Sequence, residues 1–296
     1  MKFRSQLIGV LALLVLALVL SPAVAMAAPT ISQGVIGTIM DSSTGVGIPF
    51  APVSIQVDGG DWVYLTCGYD GTYSYATPVS ADIRIHAGGP SFYNGEEVWP
   101  VVVTAGAVTT QDFSLDRGEM FEQPIYRFFN MRSGVHFYTA NNQEFINVYK
   151  NLGTIFHYDG IAYYVPWGQS SNPSFTNPNT FPLYRFFNRN TGTHFYTMSE
   201  QEKANVIATR SDDYTYEGVA YWVSDRVFTT NIAAFFGMGG FPVYRFYVPA
   251  RDSHFFTADS GEIFAPFTKL SDDYKYEGVG FYINGWRSEN TDSVAQ

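Results

Sequence analysis

Two kinds of hydrophobic patterning divide the chain. Between residues 31 and 115, apolar and polar positions alternate in short runs: Val35-Ile-Gly-Thr-Ile-Met40, Ala51-Pro-Val-Ser-Ile-Gln-Val57, Ile83-Arg-Ile-His86 and Val101-Val-Val-Thr104. A period of two turns one face of a strand inward and the other outward. The segments between the runs, Asp41-Ser-Ser-Thr-Gly45, Asp58-Gly-Gly60 and Asp70-Gly71, hold glycines that accept positive φ and Asx side chains that close local turns. Nothing there repeats at helical spacing. The pattern predicts an antiparallel β-sandwich of about seven short strands.

From residue 124 a different pattern is written three times. The first copy reads Pro124-Ile-Tyr-Arg-Phe-Phe-Asn130, Gly134-Val-His-Phe-Tyr-Thr139 and Tyr158-Asp-Gly-Ile-Ala-Tyr-Tyr-Val165. The second reads Pro182-Leu-Tyr-Arg-Phe-Phe-Asn188, Gly192-Thr-His-Phe-Tyr-Thr197 and Tyr216-Glu-Gly-Val-Ala-Tyr-Trp-Val223, and the third Pro242-Val-Tyr-Arg-Phe-Tyr247, Ser253-His-Phe-Phe-Thr257 and Tyr276-Glu-Gly-Val-Gly-Phe-Tyr-Ile283. The Tyr-to-His step (126→136, 184→194, 244→254) and the Tyr-to-Gly step (126→160, 184→218, 244→278) are constant. Constant spacing marks each copy as one supersecondary module.

Tyr184-Arg-Phe-Phe predicts a strand, Asn188 to Gly192 a hairpin loop, and His194 to Thr197 the returning strand. Asn141-x-x-Glu144, Ser199-x-x-Glu202 and Asp259-x-x-Glu262 follow at one fixed offset. They read as capping boxes, in which the first side chain caps a backbone N–H and the Glu reaches back. With a third strand over the Tyr-acid-Gly segment, the unit is β-β-α-β. In the third copy Val248-Pro-Ala-Arg-Asp252 replaces the usual turn, and Asp252 is expected to take the left-handed position of the missing glycine. A unit of ~40 residues cannot bury its own aromatic faces. The copies are therefore expected to close into a pseudo-three-fold, β-trefoil-like body, with a three-bladed or open array as the second choice. Pro166 to Phe181 and Phe235 to Phe241 would be the connectors.

The fold class is therefore mainly β, a Greek-key β-sandwich followed by the repeat body. The expected layout is a signal peptide at 1–27, the sandwich at 28–116, a linker at 117–123, the three-repeat domain at 124–284 (repeats 124–165, 182–223 and 242–283) and a polar tail at 285–296. Lys2, Arg4 and the apolar run Leu7 to Leu20, before Ala23-Val-Ala25 and Ala25-Met-Ala27, make the signal reading; a retained membrane anchor competes with it. Loss of Lys2 and Arg4 with the signal takes the formal net charge from −10 to −12. An acidic chain is repelled by phosphate backbones and anionic lipid, which argues against nucleic acid or membrane as partner. The sole cysteine, Cys67, has no internal disulfide partner and is expected to be buried as a small hydrophobe.

Gly37-Thr-Ile-Met-Asp-Ser-Ser-Thr-Gly45, Pro49, Ala51-Pro-Val-Ser-Ile55, Asp70-Gly-Thr-Tyr-Ser74, Ala105-Gly106 and Phe113-Ser-Leu115 are similar to the carboxypeptidase regulatory-like domain. The resemblance implies a transthyretin-like Greek-key sandwich that serves as a non-catalytic spacer or accessory module. The second half resembles a repeat family of unknown function found at the ends of exported bacterial proteins. The residues that carry this are Tyr-Arg-Phe-Phe-Asn, Gly-x-His-Phe-Tyr-Thr and Tyr-Glu-Gly-Val-Ala-Tyr-Trp-Val of the middle copy. It implies export, often beside enzymes or adhesins, and no particular chemistry.

His136, His194 and His254 recur at one position, and three imidazoles converging on an axis would suit zinc. The competing expectation, that each bonds within its own module and ties hairpin to third strand, is preferred. Arg127, Arg185 and Arg245 recur with Asp159, Glu217 and Glu277, which predicts an intramodule ion pair or brace; the same groups also hold sugar hydroxyls and ring faces. Asp212-Asp213 and Asp272-Asp273 read as solvated turns, because the first copy has Thr154-Ile155 there. No serine elbow, zinc-protease helix motif, phosphate loop or dinucleotide fingerprint is present, so no enzyme, catalytic residue, metal or cofactor is expected. The preferred function is a secreted or cell-surface, non-catalytic binding protein: the sandwich as spacer, the repeats as a head for a glycan or cell-envelope polymer. Trp167, Trp222 and Trp286 are the candidate stacking platforms, with Arg127, Arg185, Arg245, His136, His194 and His254 as further candidate contacts. A structural or protein-interaction module of the envelope is the alternative, and a hydrolase ranks third.

Overall fold

The computed structural model describes residues 31–88, 93–117, 122–166, 180–225, 240–259, 261–263 and 273–283. The expected signal, the connectors after Pro166 and Asp225, most of the linker, the tail, Trp167 and Trp286 lie outside the described residues. Within them the protein is mainly β, with seventeen strands and two α-helices. No helix among them is long and apolar enough to cross a membrane. The chain folds into two units, one holding residues 31–117 with Asn141–Lys150, the other Glu122–Ala140 with residues 151–283.

In the first unit, β1 (Gly34–Asp41) lies beside β4 (Thr72–Ala76), β7 (Val108–Thr110) and β8 (Phe113–Leu115). A second sheet has the order β3-β2-β5-β6, from β3 (Trp62–Thr66), β2 (Pro52–Val57), β5 (Ala81–Ala87) and β6 (Glu96–Val103). The alternate residues Val35, Ile39, Val53, Ile55, Ile83, Ile85, Val101, Val103, Phe113 and Leu115 form one shared core. Eight strands stand among the described residues, in line with the about seven expected, and one detail differs: β1 pairs with β7 and β8 in parallel, Gly34 opposite Val108 and Ile39 opposite Phe113. Alternation specifies which face is buried and is silent on strand direction. Cys67 is 3% exposed, its thiol donates to Ile48 O at 3.3 Å, and burial pushes its pKa up to about 12.

Helix α1 (Asn142–Asn151) belongs in sequence to the first repeat but is packed with this first unit. Phe145 is fully buried, 5.8 Å from the Phe50 ring, and Tyr149 stacks on Tyr69 at 4.8 Å. The corresponding residues of α2 (Glu200–Thr209) are Lys203 and the exposed Ile207, so the two helices answer to different surroundings.

In the second unit each copy places its first strand between the other two, all antiparallel. The first copy has β9 (Glu122–Asn130), β10 (Val135–Thr139) and β11 (Phe156–Pro166) in the order β10-β9-β11. The second has β12 (Thr180–Asn188), β13 (Thr193–Thr197) and β14 (Tyr214–Ser224), and the third β15 (Phe241–Val248), β16 (Ser253–Thr257) and β17 (Lys275–Ile283). Together the last two form a sheet of order β13-β12-β14-β17-β15-β16. Helices occur at the expected offset, with residues 261–263 helical in the third copy. The hairpins close as their side chains dictate: Asn130 Oδ1 accepts from Arg132 N and Ser133 N, and Asn188 Oδ1 from Asn190 N and Thr191 N. Asp252 sits at φ +43°, in the left-handed position expected of it.

The copies close on one another around a core to which each contributes four equivalent residues: Ile125, Leu183 and Val243; Tyr138, Tyr196 and Phe256; Tyr163, Tyr221 and Phe281; Val165, Val223 and Ile283. Tyr138, Tyr196 and Phe256 meet edge to face, centroids 6.0, 6.4 and 5.9 Å apart at interplanar angles of 87°, 86° and 85°, the arrangement that matches ring edge to ring face. Outside them runs a second ring of contacts: Phe137 with His194 at 5.0 Å, Phe195 with His254 at 5.0 Å, and Phe255 with His136 at 5.5 Å. That order runs from copy one to two, two to three and three back to one. An open array would leave the last contact unmade.

Candidate functional site

The recurring polar cluster of each repeat is built by a β-bulge. Along the third strand the register passes from Phe128–Tyr158 to Arg127–Gly160, from Phe186–Tyr216 to Arg185–Gly218, and from Phe246–Tyr276 to Arg245–Gly278. Asp159, Glu217 and Glu277 are each the extra residue, unpaired in the ladder, and a bulge re-aims such a side chain. The glycine that follows has φ +95°, +100° or +103°. A Cβ on Gly218 or Gly278 would meet nothing within 4 Å, so backbone conformation and not crowding requires glycine there.

The bulged acid meets the arginine and the histidine of its own repeat. Arg127, Arg185 and Arg245 Nε stand 3.6, 2.8 and 2.9 Å from Asp159, Glu217 and Glu277. His136, His194 and His254 Nε2 stand 3.2, 3.4 and 3.2 Å from the same acids. The intramodule ion pair and the histidine brace expected from sequence are both present. Burial pushes the Glu217 carboxyl up, but His194 and the Arg185 charge hold it below the ordinary glutamate value. Asp159 is lowered in the same way, against burial, by His136, His157 and Arg127. Glu277 is lowered first by His254, then by Arg245, burial opposing.

The arginines also reach across copies. Arg127 pairs with Glu262 at 2.9 Å, and Arg245 with Glu202 at 2.9 Å. These are the capping-box glutamates, and here the expectation is half corrected. The forward bonds form, Glu144 N to Asn141 Oδ1, Glu202 N to Ser199 Oγ and Glu262 N to Asp259 Oδ1, at 3.0, 3.1 and 3.0 Å. The carboxylates of Glu202 and Glu262, however, face an arginine of another copy instead of their own cap, because a guanidinium offers a charge-assisted partner that a cap N–H does not. Arg185 lies over the Phe137 ring of the first copy at 5.8 Å.

The structure keeps the three histidines apart, each with its own acid and separated from the next by a phenylalanine ring. Among the described residues no three His, Cys, Asp or Glu side chains gather as metal ligands. Asp213 pairs with Arg210 at 2.9 Å and accepts from Asn190 Nδ2 at 2.6 Å, a turn stabilised by the protein itself. Trp222 is half-buried.

Exposed aromatic surface lies at positions that sequence reasoning passed over. Tyr216 and Tyr276, equivalent in the last two copies, are 41% and 47% exposed, with Val219 and Val279 exposed beyond them. Tyr216 rests against Phe186 at 5.0 Å and Tyr184 at 6.2 Å; Tyr276 rests against Phe246 at 5.4 Å and Tyr244 at 6.2 Å. Each therefore offers a ring packed on its neighbours, one residue before the bulged acid in sequence but on the sheet face opposite the Arg and His of its repeat. The available signal was the recurrence of tyrosine before the acid in all three copies.

A family profile described as "Domain of unknown function (DUF5648)" matches residues 124–284. No curated protein matches the chain. Among solved structures, a candidate carbohydrate binding protein from Bacteroides uniformis is similar at 19% identity, over 32% of this chain and 44% of that one, with a TM-score of 0.25. The chain thus spans less than half the length of that protein.

Proposed function

The chain belongs to the DUF5648 family, whose domain occupies residues 124–284, and from that premise we propose a secreted, non-catalytic binding protein whose repeat body recognises a glycan or cell-envelope polymer. The observation that carries this is the pair of equivalent, exposed and ring-supported tyrosines, Tyr216 and Tyr276. A sugar ring has an apolar C–H face and a rim of hydroxyls. A tyrosine fixed by a ring beneath it offers the first a partner at little cost in side-chain freedom. The tyrosine's own hydroxyl offers a partner for the second, while the Arg–acid–His cluster lies on the other face of the sheet.

The non-catalytic part of the proposal is supported by the charge state of the clusters. A general acid for glycoside cleavage needs a raised pKa, and Asp159, Glu217 and Glu277 are all lowered. In the same reading the closed repeat body is trefoil-like, and the first unit is a Greek-key, regulatory-like spacer. Export by the N-terminal signal completes it. The alternative, a structural or protein-interaction module, draws on the burial of the axial rings Tyr138, Tyr196 and Phe256.

The test is calorimetric titration of the mature chain with soluble neutral glucans, xylan, mannan and cell-wall polymer fragments, beside a Tyr216→Ala/Tyr276→Ala variant. Saturable binding, weakened roughly tenfold or more in the variant while its thermal unfolding is unchanged, is the expected result. Equal binding by both proteins would remove the tyrosines from the site. No binding to any polymer would favour the scaffold alternative.

A further inference from the structure

The outer face of sheet β3-β2-β5-β6 carries aromatic side chains that the sandwich core does not use. Directly opposed residues of neighbouring strands share a face, so the register lays two rows across it. One row is Tyr64, Ser54, His86 and Glu97; the other is Trp62, Gln56 and Arg84, with Trp99 at its far end. Their inward neighbours Val53, Ile55, Ile83 and Ile85 are buried in the core. Tyr64 is 77% exposed and Trp99 61%, on strands three spacings apart, roughly 14 Å. The Arg84 guanidinium lies over the Trp99 ring at 5.4 Å, a contact that holds the indole against the sheet.

The chemistry of the two rows selects the occupant. Their acid and their arginine, Glu97 and Arg84, lie 3.8 Å apart and offset one another, while the chain as a whole is acidic at −10. Such a surface disfavours an anionic polymer, and single-stranded nucleic acid needs a basic groove around its stacking rings. Between the rings stand Ser54, Gln56, His86 and Arg84, a mixture of donors and acceptors suited to hydroxyls. The face is a sheet surface and not a cleft, so it suits a chain with flat sides rather than a folded ligand. We propose that this face binds a neutral, extended polysaccharide, which would make the sandwich a second recognition surface and not only a spacer. This stands independently of the repeat-body site.

The experiment is native affinity electrophoresis of the full mature chain in gels with and without soluble hydroxyethylcellulose, a neutral β-1,4-linked glucan, or soluble xylan. Four variants are run beside it: Tyr64→Ala/Trp99→Ala, Tyr64→Phe/Trp99→Phe, Tyr216→Ala/Tyr276→Ala, and the two alanine pairs combined. The expected result is retardation of the parent in at least one polymer, weakened roughly tenfold by Tyr64→Ala/Trp99→Ala and largely kept when phenylalanine preserves the rings. Thermal unfolding should be unchanged, because both side chains are exposed. If only the repeat variant loses retardation, the sandwich proposal is overturned and the repeat reading stands; if only the sandwich variant loses it, the reverse holds. A parent unretarded in both polymers also overturns it. So does a change from dimer to monomer in Tyr64→Ala/Trp99→Ala by light scattering without loss of retardation, since the face would then join two copies of this chain.

Discussion

At the scale of single residues, the decisive device is a glycine that lets a carboxylate leave the ladder. Gly218 holds φ +100° with open space where a side chain would go, so alanine there clashes with nothing and still strains the backbone. Gly218→Ala is expected to cost about 1–3 kcal/mol and to displace Glu217 from Arg185 and His194. Chemical denaturation would measure the first effect, and the histidine side-chain NMR signals of that repeat the second. A loss no larger than at an ordinary strand position would show that the bulge does not depend on positive φ. The partnership of Arg185, His194 and Glu217 was legible from their joint recurrence. The exposure of Tyr216 was not, because a bulge resets inward and outward alternation, and a sequence does not show where the reset falls.

At the scale of elements, the capping boxes separate what is local from what is not. The cap itself, Ser199 Oγ accepting from Glu202 N at 3.1 Å, was readable because both partners lie within four residues. The destination of the Glu202 carboxylate was not readable, because Arg245 is 43 residues away. The two roles can be separated by hydrogen exchange. Ser199→Ala should weaken helix α2 by about 1 kcal/mol and speed exchange within Glu200–Thr209 alone. Glu202→Gln, which keeps the backbone donor, should leave that helix protected and speed exchange in β15 and β17, where Arg245 and its partner Glu277 sit. Matching profiles for the two variants would contradict this division. Strand direction in the sandwich escaped for a related reason: the parallel pairing of β1 with β7 and β8 joins segments about seventy residues apart.

At the scale of the whole molecule, threefold repetition foretold closure, and the ring of contacts from Phe137 to His194, Phe195 to His254 and Phe255 to His136 is that closure. Repetition also multiplies the effect of the lowered acids. Each has a folded pKa below its unfolded value of about 4, so its stabilisation is fully present above that value and is lost as pH falls through the folded one. The thermal midpoint is therefore expected to hold above about pH 5 and to fall steeply below about pH 4, with a shallower fall in Glu217→Gln. A profile unchanged in that variant would show that Glu217 is not linked to folding. Where a ligand would bind was the least legible property, because most rings in the repeats are spent on the core and only the folded structure separates those that remain outside.

The measurement that bears most directly on the central claim is calorimetric titration of the protein and its Tyr216→Ala/Tyr276→Ala variant with the panel of neutral glycans and cell-wall polymers. Saturable binding by the parent, with the variant folded but weakened roughly tenfold, is the predicted result. Equal affinity in the two proteins, or no binding by a folded parent, would contradict it.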